Sequence, residues 1–315
     1  MKLLRGLQSF AEFSAGTVAT IGNFDGVHLG HQALLQRLHR LAKAQNLPTV
    51  VVLFEPQPGE YFQGRHAPAR LASLREKLQV LRELGIDYVY CLKFDKYLAN
   101  MPADEFAKKI IFSTLNAKYL LIGQDFRFGS NRTGDIFLLQ TFAPQYAASV
   151  EAYDDFLISK ERVSSTNIRK ALQDNHLQKV SLWLGRRYTL CGRVIRGEGR
   201  GRRWGIPTAN IHLQRKKLAL NGVFCVEVRR HPDWPAMYGV ANLGVRPTVD
   251  GCKNTLEVHL LDWDESLYGE MLQVSFLHKL RDEVKFSDFN DLIKQIQNDI
   301  TEAKTYFSLQ NNKLP

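Results

Sequence analysis

Cysteine is scarce: the chain holds four, Cys91, Cys191, Cys225 and Cys252, and no two of them stand at CxxC or zinc-finger spacing. That argues against a disulfide-stapled scaffold or a structural zinc site and makes reduced thiols in a cytoplasmic protein the expectation. Long apolar runs are missing as well. No stretch approaches the roughly 18 residues that cross a bilayer, so no membrane span is expected. The opening MKLLRGLQSF has neither a long apolar core nor a small-residue cleavage pattern, and a secretory signal is not expected. Low-complexity tracts and internal repeats are lacking, and 44% hydrophobic with 23% charged residues reads as a folded chain rather than a disordered or fibrous one.

Positive charge is what the chain has in excess. Its 42 Lys+Arg outnumber 32 Asp+Glu over 315 residues, a formal net charge of +10. The window 186–217 holds ten basic side chains, among them Arg186, Arg187, Arg193, Arg196 and Arg202, against the single acid Glu198. A solvated basic face, a nucleic-acid surface and a phosphate-handling loop all fit such a run.

The length suggests about two domains at roughly 100–200 residues each. Up to Leu184 the pattern alternates. Strands are expected at Thr17–Ile21, Thr49–Phe54, Tyr88–Lys93 and Lys118–Ile122, with a further helix and strand up to about Tyr153. Helices are expected from His31 to Ala44, near Leu71–Leu84, near Asp104–Leu115 and over Ser165–Leu184. This is a Rossmann-like α/β domain, residues 1–184, with a parallel sheet and ligands at the carboxyl ends of its strands. Residues 185–315 read differently: short strands at Tyr188–Ile195, Gly222–Val228, Tyr238–Asn242, Thr255–Leu261 and Met271–Leu277, separated by turn residues, predict a small antiparallel β-barrel. A helix from Ser287 to about Tyr306 closes it, and its apolar spacing is sufficiently explained by packing.

Between the first strand and the first helix stands Gly22-Asn23-Phe24-Asp25-Gly26-Val27-His28-Leu29-Gly30-His31. A helix N-terminus at a strand's carboxyl end favours an anion, Gly30 lets backbone approach closely, and His28 and His31 can donate hydrogen bonds to phosphate oxygens. Two histidines also suggest metal, but no Cys, Asp or Glu completes a ligand set at useful spacing. The string resembles the H-x-G-H signature of the nucleotidyltransferase superfamily, which pairs it with a later basic, hydroxyl-rich loop. Ile158 to Arg169, containing Arg162, Ser165 and Thr166, resembles that loop. Either hydroxyl residue could instead cap the following helix, whereas Arg162 suits a pyrophosphate contact.

Phe54-Glu55-Pro56-Gln57-Pro58 and Gly123-Gln124-Asp125-Phe126-Arg127-Phe128-Gly129 resemble the flavin-adenylylating module of bacterial bifunctional riboflavin kinase/FMN adenylyltransferases, or FAD synthetases. Gln57 stands where that family usually has His. The resemblance implies nucleotide contacts from Gly22, Phe24, Asp25, Gly26, Gly30, Ser165 and Thr166, and flavin contacts from Asp125 and Phe128, though Phe126 and Phe128 could equally be core residues of a loop.

The second half carries its own signature. Gly197-Glu198-Gly199-Arg200-Gly201-Arg202-Arg203-Trp204-Gly205-Ile206-Pro207-Thr208-Ala209-Asn210 is not a Walker A loop, yet it combines glycines, basic side chains and oxygen ligands suited to Mg²⁺. Joined to Pro-Thr-Ala-Asn it resembles the riboflavin kinase signature. That likeness implies ATP contacts from Gly197, Gly199, Arg202, Pro207, Thr208 and Asn210, with Thr208 and Asn210 also holding Mg²⁺. In the strand Leu256–Asp262, Glu257 and His259 share one face, and the resemblance makes Glu257 the base. Arg281, Glu283 and Phe286 resemble the family's flavin-contacting segment. The implied partners are riboflavin, FMN and ATP; no nucleic acid and no membrane are expected.

Overall fold

The computed structural model describes residues 1–6, 10–197, 201, 205–215, 217–231, 234–248 and 251–311. The expected nucleotide contacts Gly199 and Arg202 lie outside these residues. By packing, the chain divides into one unit of residues 1–68 and 72–167 and another of residues 69–71 and 168–315.

The first unit is built on a six-stranded parallel sheet: β1 Lys2–Arg5, β2 Thr17–Ile21, β3 Thr49–Glu55, β4 Tyr88–Lys93, β5 Ala117–Gly123 and β6 Ser149–Tyr153. The spatial order is β1-β4-β3-β2-β5-β6. β3 reads TVVVLFE because both faces of a parallel sheet are covered: Val50, Val52 and Phe54 enter one hydrophobic cluster, while Val51 and Leu53 enter the other. Helix α1, Leu29–Gln45, puts Leu34, Leu35 and Leu38 into that second cluster. A short α2, Pro58–Gln63, follows β3, and α3 spans Leu74–Glu83. α3 begins three residues later than its apolar pattern suggests because Ser73 caps it: Ser73 Oγ accepts from Glu76 N at 3.3 Å while the Glu76 carboxylate accepts from Ser73 N at 2.6 Å.

Two helices differ from their sequence expectation. After the single turn α4, Lys96–Ala99, the segment expected near Asp104–Leu115 is a short α5, Ala103–Glu105, continued as a π-helix over Phe106–Thr114. There Leu115 N donates to Ile110 O, five residues back. The wide turn carries Phe106, Ala107, Ile110, Ile111 and Phe112 together into one cluster. After α6, Ile136–Phe142, comes a hairpin of two short strands, β7 Leu157–Ile158 and β8 Glu161–Arg162. The expected helix Ser165–Leu184 is two: α7 Ser165–Gln173 and α8 Leu177–Leu184, broken where Asn175 takes a φ of +59°.

The second unit is a closed barrel of β9 Thr189–Ile195, β10 Ala209–His212, β11 Gly222–Arg229, β12 Met237–Thr248, β13 Gly251–Leu260 and β14 Met271–Arg281. Every neighbouring pair is antiparallel, in the order β10-β13-β12-β11-β14-β9. β10 joins β9 to β13, so closure rests on four residues that lie outside the strands expected from the sequence. Alternation along β11 sends Val223 and Cys225 to the terminal helix α9, Phe289–Asn311, where Ala303 and Phe307 meet them. Between them, Phe224 packs edge-on against Phe276 of β14.

Candidate active sites

In the first unit, β3 lies on one side of β2 and β5 on the other, so the chain reverses its direction of winding at β2. Such a switch point opens a crevice at the carboxyl edge of the sheet. The residues that follow β2, Gly22 to His28, and those that follow β5, Gln124 to Gly129, emerge there. The turn after β2 is taut: Phe24 and Val27 adopt φ of +45° and +40°, with Gly26 at +82°. Residues with a Cβ tolerate this at a cost of about 1–3 kcal/mol each, and such strain concentrates at functional sites.

His28 is the N-cap of α1, with its Nδ1 accepting from His31 N at 3.3 Å. With Nδ1 as acceptor, a neutral His28 ring carries its proton on Nε2 and can donate it to an anion. The His28 and His31 rings stack at 3.7 Å, and His31 also lies 4.8 Å from the Phe24 ring. Gly30 permits this closeness: a Cβ there would come within 3.2 Å of His28 Nδ1 and 3.3 Å of Phe156 Cβ. A Cβ on Gly22 would meet the Phe24 ring at 3.2 Å. Asp25 is buried; its carboxylate accepts from Ala72 N at 3.1 Å and its carbonyl from Ser165 Oγ at 2.8 Å. Ser165 and Thr166, expected as nucleotide contacts with helix capping as the alternative, lie inside α7 rather than at its cap. The cap is Ser164, whose Oγ accepts from Asn167 N at 3.2 Å. Ser165 is turned to the turn after β2, where it donates to the Asp25 carbonyl, and Thr166 is exposed.

Arg162, at the end of the β7–β8 hairpin, lies between two carboxylates, Asp125 Oδ2 at 2.9 Å and Asp155 Oδ1 at 2.8 Å. The hydrogen bond it donates to Asp125, foremost, holds its guanidinium above the ordinary arginine range. The expected catalytic and flavin residues Arg162 and Asp125 are thus brought together as partners of each other. Phe128 is 6% exposed and sits in the core cluster against Phe106. Of the two readings of this ring, a flavin contact or a core residue of the loop, its burial favours the core, and half-buried Phe126, stacked on it at 5.6 Å, is the aromatic group nearer the surface. Gln57 caps α2, its N–H donating to the Glu60 carboxylate at 2.9 Å, while its own Nε2 is buried with no hydrogen-bond partner among the described residues.

The second unit holds a cavity of about 370 Å³ lined by Thr208, Asn210, Glu257, Arg281, Glu283 and Phe286, among others. All six were expected from the sequence, and they arrive from three separate stretches of chain, 208–210, 257 and 281–286. The sheet register explains the polar rank. Asn210 of β10 and Asn242 of β12 both pair with Glu257 of β13, so the three side chains share one face. Asn242 was missed, because a strand's alternation says which face a residue takes and not which residue lies opposite. Its Nδ2 reaches Glu283 Oε1 at 3.4 Å and its Oδ1 is buried without a hydrogen-bond partner among the described residues. Gly244 leaves room for that glutamate: a Cβ there would lie 2.0 Å from Glu283 Oε1. His259 anchors the Pro-Thr-Ala-Asn segment, with Nδ1 donating to the Pro207 carbonyl at 2.9 Å. Gly197 approaches Asn210 so closely that a Cβ would lie 2.4 Å from its Nδ2.

Arg281 is held from behind. Its Nε and Nη2 donate to Asp299 of α9 at 2.9 and 2.8 Å, Asp299 is 3% exposed, and Gln295 Nε2 supports the same carboxylate at 2.9 Å. The guanidinium stands 5.8 Å from the Phe286 ring. Leu292, Ile296 and Ile300 of α9 also line the cavity, so this helix does more than pack. Thr208 and Asn210 present neutral oxygens next to the Glu257 carboxylate. Such neutral oxygens beside one carboxylate would suit a hard cation that arrives with a nucleotide better than a resident metal cage.

Comparison with known proteins agrees with this division. The sequence model described as FAD synthetase matches residues 10–167, and that described as riboflavin kinase matches residues 184–307. The bifunctional riboflavin kinase/FMN adenylyltransferase of Haemophilus influenzae is 45% identical over 308 residues, covering 98% of this chain and 100% of that protein. Its namesake from Escherichia coli K12 is 44% identical over 310 residues, 98% and 99% of the two chains, and that from Pseudomonas fluorescens is 43% identical over 306 residues, 96% and 97%. A solved structure described as a macrolide-efflux protein from Streptococcus pneumoniae is 28% identical with a TM-score of 0.79, covering 94% of this chain and 97% of that one. Among the described residues no helix is long and apolar enough to cross a membrane. Two matched modules in one chain, with relatives alike from end to end, leave one conclusion: the chain belongs to the family of bifunctional riboflavin kinase/FMN adenylyltransferases.

Proposed function

We propose that the chain makes FAD in two ATP-dependent steps, the first in residues 185–315 and the second in residues 1–184. The single observation that carries this reading is the placement of the two clusters: His28 and His31 fall within the stretch matching FAD synthetase, and Glu257 with Asn210 within the stretch matching riboflavin kinase.

In the barrel, Glu257 accepts the proton of riboflavin's terminal ribityl hydroxyl as that oxygen attacks the γ-phosphorus of ATP, releasing ADP and leaving FMN. Arg281, Glu283 and Phe286 orient the flavin, and Gly197 and Pro207 border the nucleotide. Thr208 and Asn210 would hold the magnesium that accompanies ATP; bound there, it neutralises charge on the phosphates. In the α/β unit, a phosphate oxygen of FMN attacks the α-phosphorus of a second ATP, and pyrophosphate leaves. His28 through Nε2, His31 and Arg162 stabilise the charge gathering at phosphorus and on the leaving group, while Gly22 to Gly30 and Ser165 shape the turn that receives the phosphates. Arg162 must exchange Asp125 and Asp155 for phosphate oxygens, a trade of one anionic partner for another. No covalent enzyme intermediate is needed. We place this chemistry in the cytoplasm, in keeping with ATP as co-substrate and with Cys91, Cys191 and Cys225 as free thiols.

The test is a pair of variants assayed for both products. His28→Ala/His31→Ala is expected to abolish FAD formation from FMN and spare FMN formation from riboflavin, and Glu257→Gln to do the reverse. Loss of both activities in either folded variant contradicts the division.

A further inference from the structure

One wall of the barrel cavity is a single row laid across the strands. Asn210 of β10 pairs with Glu257 of β13, Glu257 with Asn242 of β12, Asn242 with Val223 of β11, and Val223 with Arg281 of β14. All of these residues line the cavity. With neighbouring strands about 4.8 Å apart, Glu257 and Arg281 stand about 14 Å from each other along the row. On the reading that this unit phosphorylates riboflavin, the hydroxyl to be phosphorylated lies at Glu257 and the ring system at Arg281 and Phe286. The ribityl chain between them then runs over Asn242 and Val223, and of these two only Asn242 is polar.

A hydroxyl taken out of water must find a partner, because leaving it unpaired costs more than one ordinary hydrogen bond contributes. The surroundings of this stretch offer few. Val240, two residues before Asn242 on the same face of β12, lines the cavity, and α9 closes over it with Leu292, Ile296 and Ile300. The amide of Asn242 is itself incompletely used by the fold. Its Nδ2 donates to Glu283 Oε1 at 3.4 Å, long for an N–H···O bond, and its Oδ1 is buried with no hydrogen-bond partner among the described residues. An asparagine that serves only the fold has, as a rule, its buried amide atoms paired. A hydroxyl both accepts and donates, so one placed between Asn242 and Glu283 converts this long contact into two ordinary bonds.

Resting on that kinase reading, we infer that Asn242 is a specificity-determining residue for riboflavin phosphorylation, binding a secondary hydroxyl of the ribityl chain together with Glu283. The hydroxyl accepts from Asn242 Nδ2 and donates to the Glu283 carboxylate. The ligand class selected is a flavin that carries a polyol. A flavin on a plain alkyl chain ending in a hydroxyl still reaches Glu257 and leaves Asn242 and Glu283 without their third partner.

The experiment uses the full chain with Mg-ATP and two substrates, riboflavin and its hydroxypentyl analogue, which keeps the terminal hydroxyl and lacks the secondary ones. Wild type is expected to phosphorylate the analogue with a kcat/KM about tenfold below that for riboflavin, the scale of one hydrogen bond. Asn242→Leu keeps the approximate volume of the side chain and removes its polar atoms. It should lower kcat/KM for riboflavin by about tenfold, chiefly through KM, and change that for the analogue little, while FMN adenylylation stays near wild type. An equal loss on both substrates, as from a distorted cavity, or an undiminished kcat/KM for riboflavin overturns the inference. Should Asn242→Leu not fold, wild type alone decides: equal kcat/KM for riboflavin and the analogue overturns it. Wild-type protein that makes no FMN from riboflavin would instead sink the kinase reading itself.

Discussion

At the scale of single residues, the informative positions are those where shape and chemistry meet. Gly244 makes room for Glu283, and the atom that an added Cβ would strike, Oε1 at 2.0 Å, is the far end of a flexible side chain. Gly244→Ala should therefore swing the carboxylate out of the cavity at little cost to folding. The expected result is a higher KM for riboflavin in the kinase assay, with FMN adenylylation and the thermal midpoint nearly unchanged; an unchanged KM would remove Glu283 from the flavin site. Residue chemistry was legible in the sequence wherever a rare combination was contiguous, as in His28-Leu29-Gly30-His31 or Pro207-Thr208-Ala209-Asn210. It was not legible where partners meet only through the fold. Asn242 reaches its place opposite Glu257 by sheet register, and Asp299 grips Arg281 across a helix–strand contact. Phe128 shows the converse: its place in a family motif suggests a ligand contact, while its ring packs against Phe106 and lies so close to Gly134 that a Cβ there would meet it at 2.6 Å.

Elements explain how the sites are held. Three of them are joined by Glu151 of β6, which accepts from Arg37 of α1 at 3.2 and 3.1 Å and from the hydroxyl of Tyr119 of β5. The hydrogen bond from Arg37, foremost, holds the Glu151 carboxyl below its ordinary value in the folded protein. A folded pKa below the unfolded one adds stability that is fully present above the unfolded carboxylate range and is lost as pH falls through the depressed value. The difference in thermal midpoint between wild type and Glu151→Gln should then be constant from neutral pH down to about pH 6 and shrink below about pH 4.5, near the unfolded carboxylate. A difference independent of pH would assign the loss to packing alone. Most elements with a long apolar pattern stood where the sequence put them, β2 and β4 to the residue. The exceptions were short or irregular. β10 has four residues, the β7–β8 hairpin turns on Ser159 and Lys160 at φ of +50° and +68° without the Asn-Gly that would announce it, and the π-helix wears an ordinary helix pattern.

On the scale of the whole molecule, the excess positive charge takes on a different meaning. Several of the basic side chains between 186 and 217 are spent on the barrel itself. Arg186 donates to the Leu184 carbonyl at 3.1 Å, Arg187 pairs with Glu227, and Arg193 donates to the Gly269 carbonyl. Arg196 stands 5.9 Å from the Tyr268 ring. These contacts fasten the chain to itself, so the net charge of +10 is only in part a measure of side chains open to a ligand. What distinguishes the family is two activities carried by one chain, the product of one serving as substrate of the other, and the proposed function gives each its own unit. The most direct test is to incubate the wild-type protein with riboflavin and Mg-ATP and to separate the flavins by chromatography over time. FMN should appear first and FAD after it, with pyrophosphate released in step with FAD. A chromatogram in which riboflavin remains unchanged, with neither FMN nor FAD formed, would contradict the account.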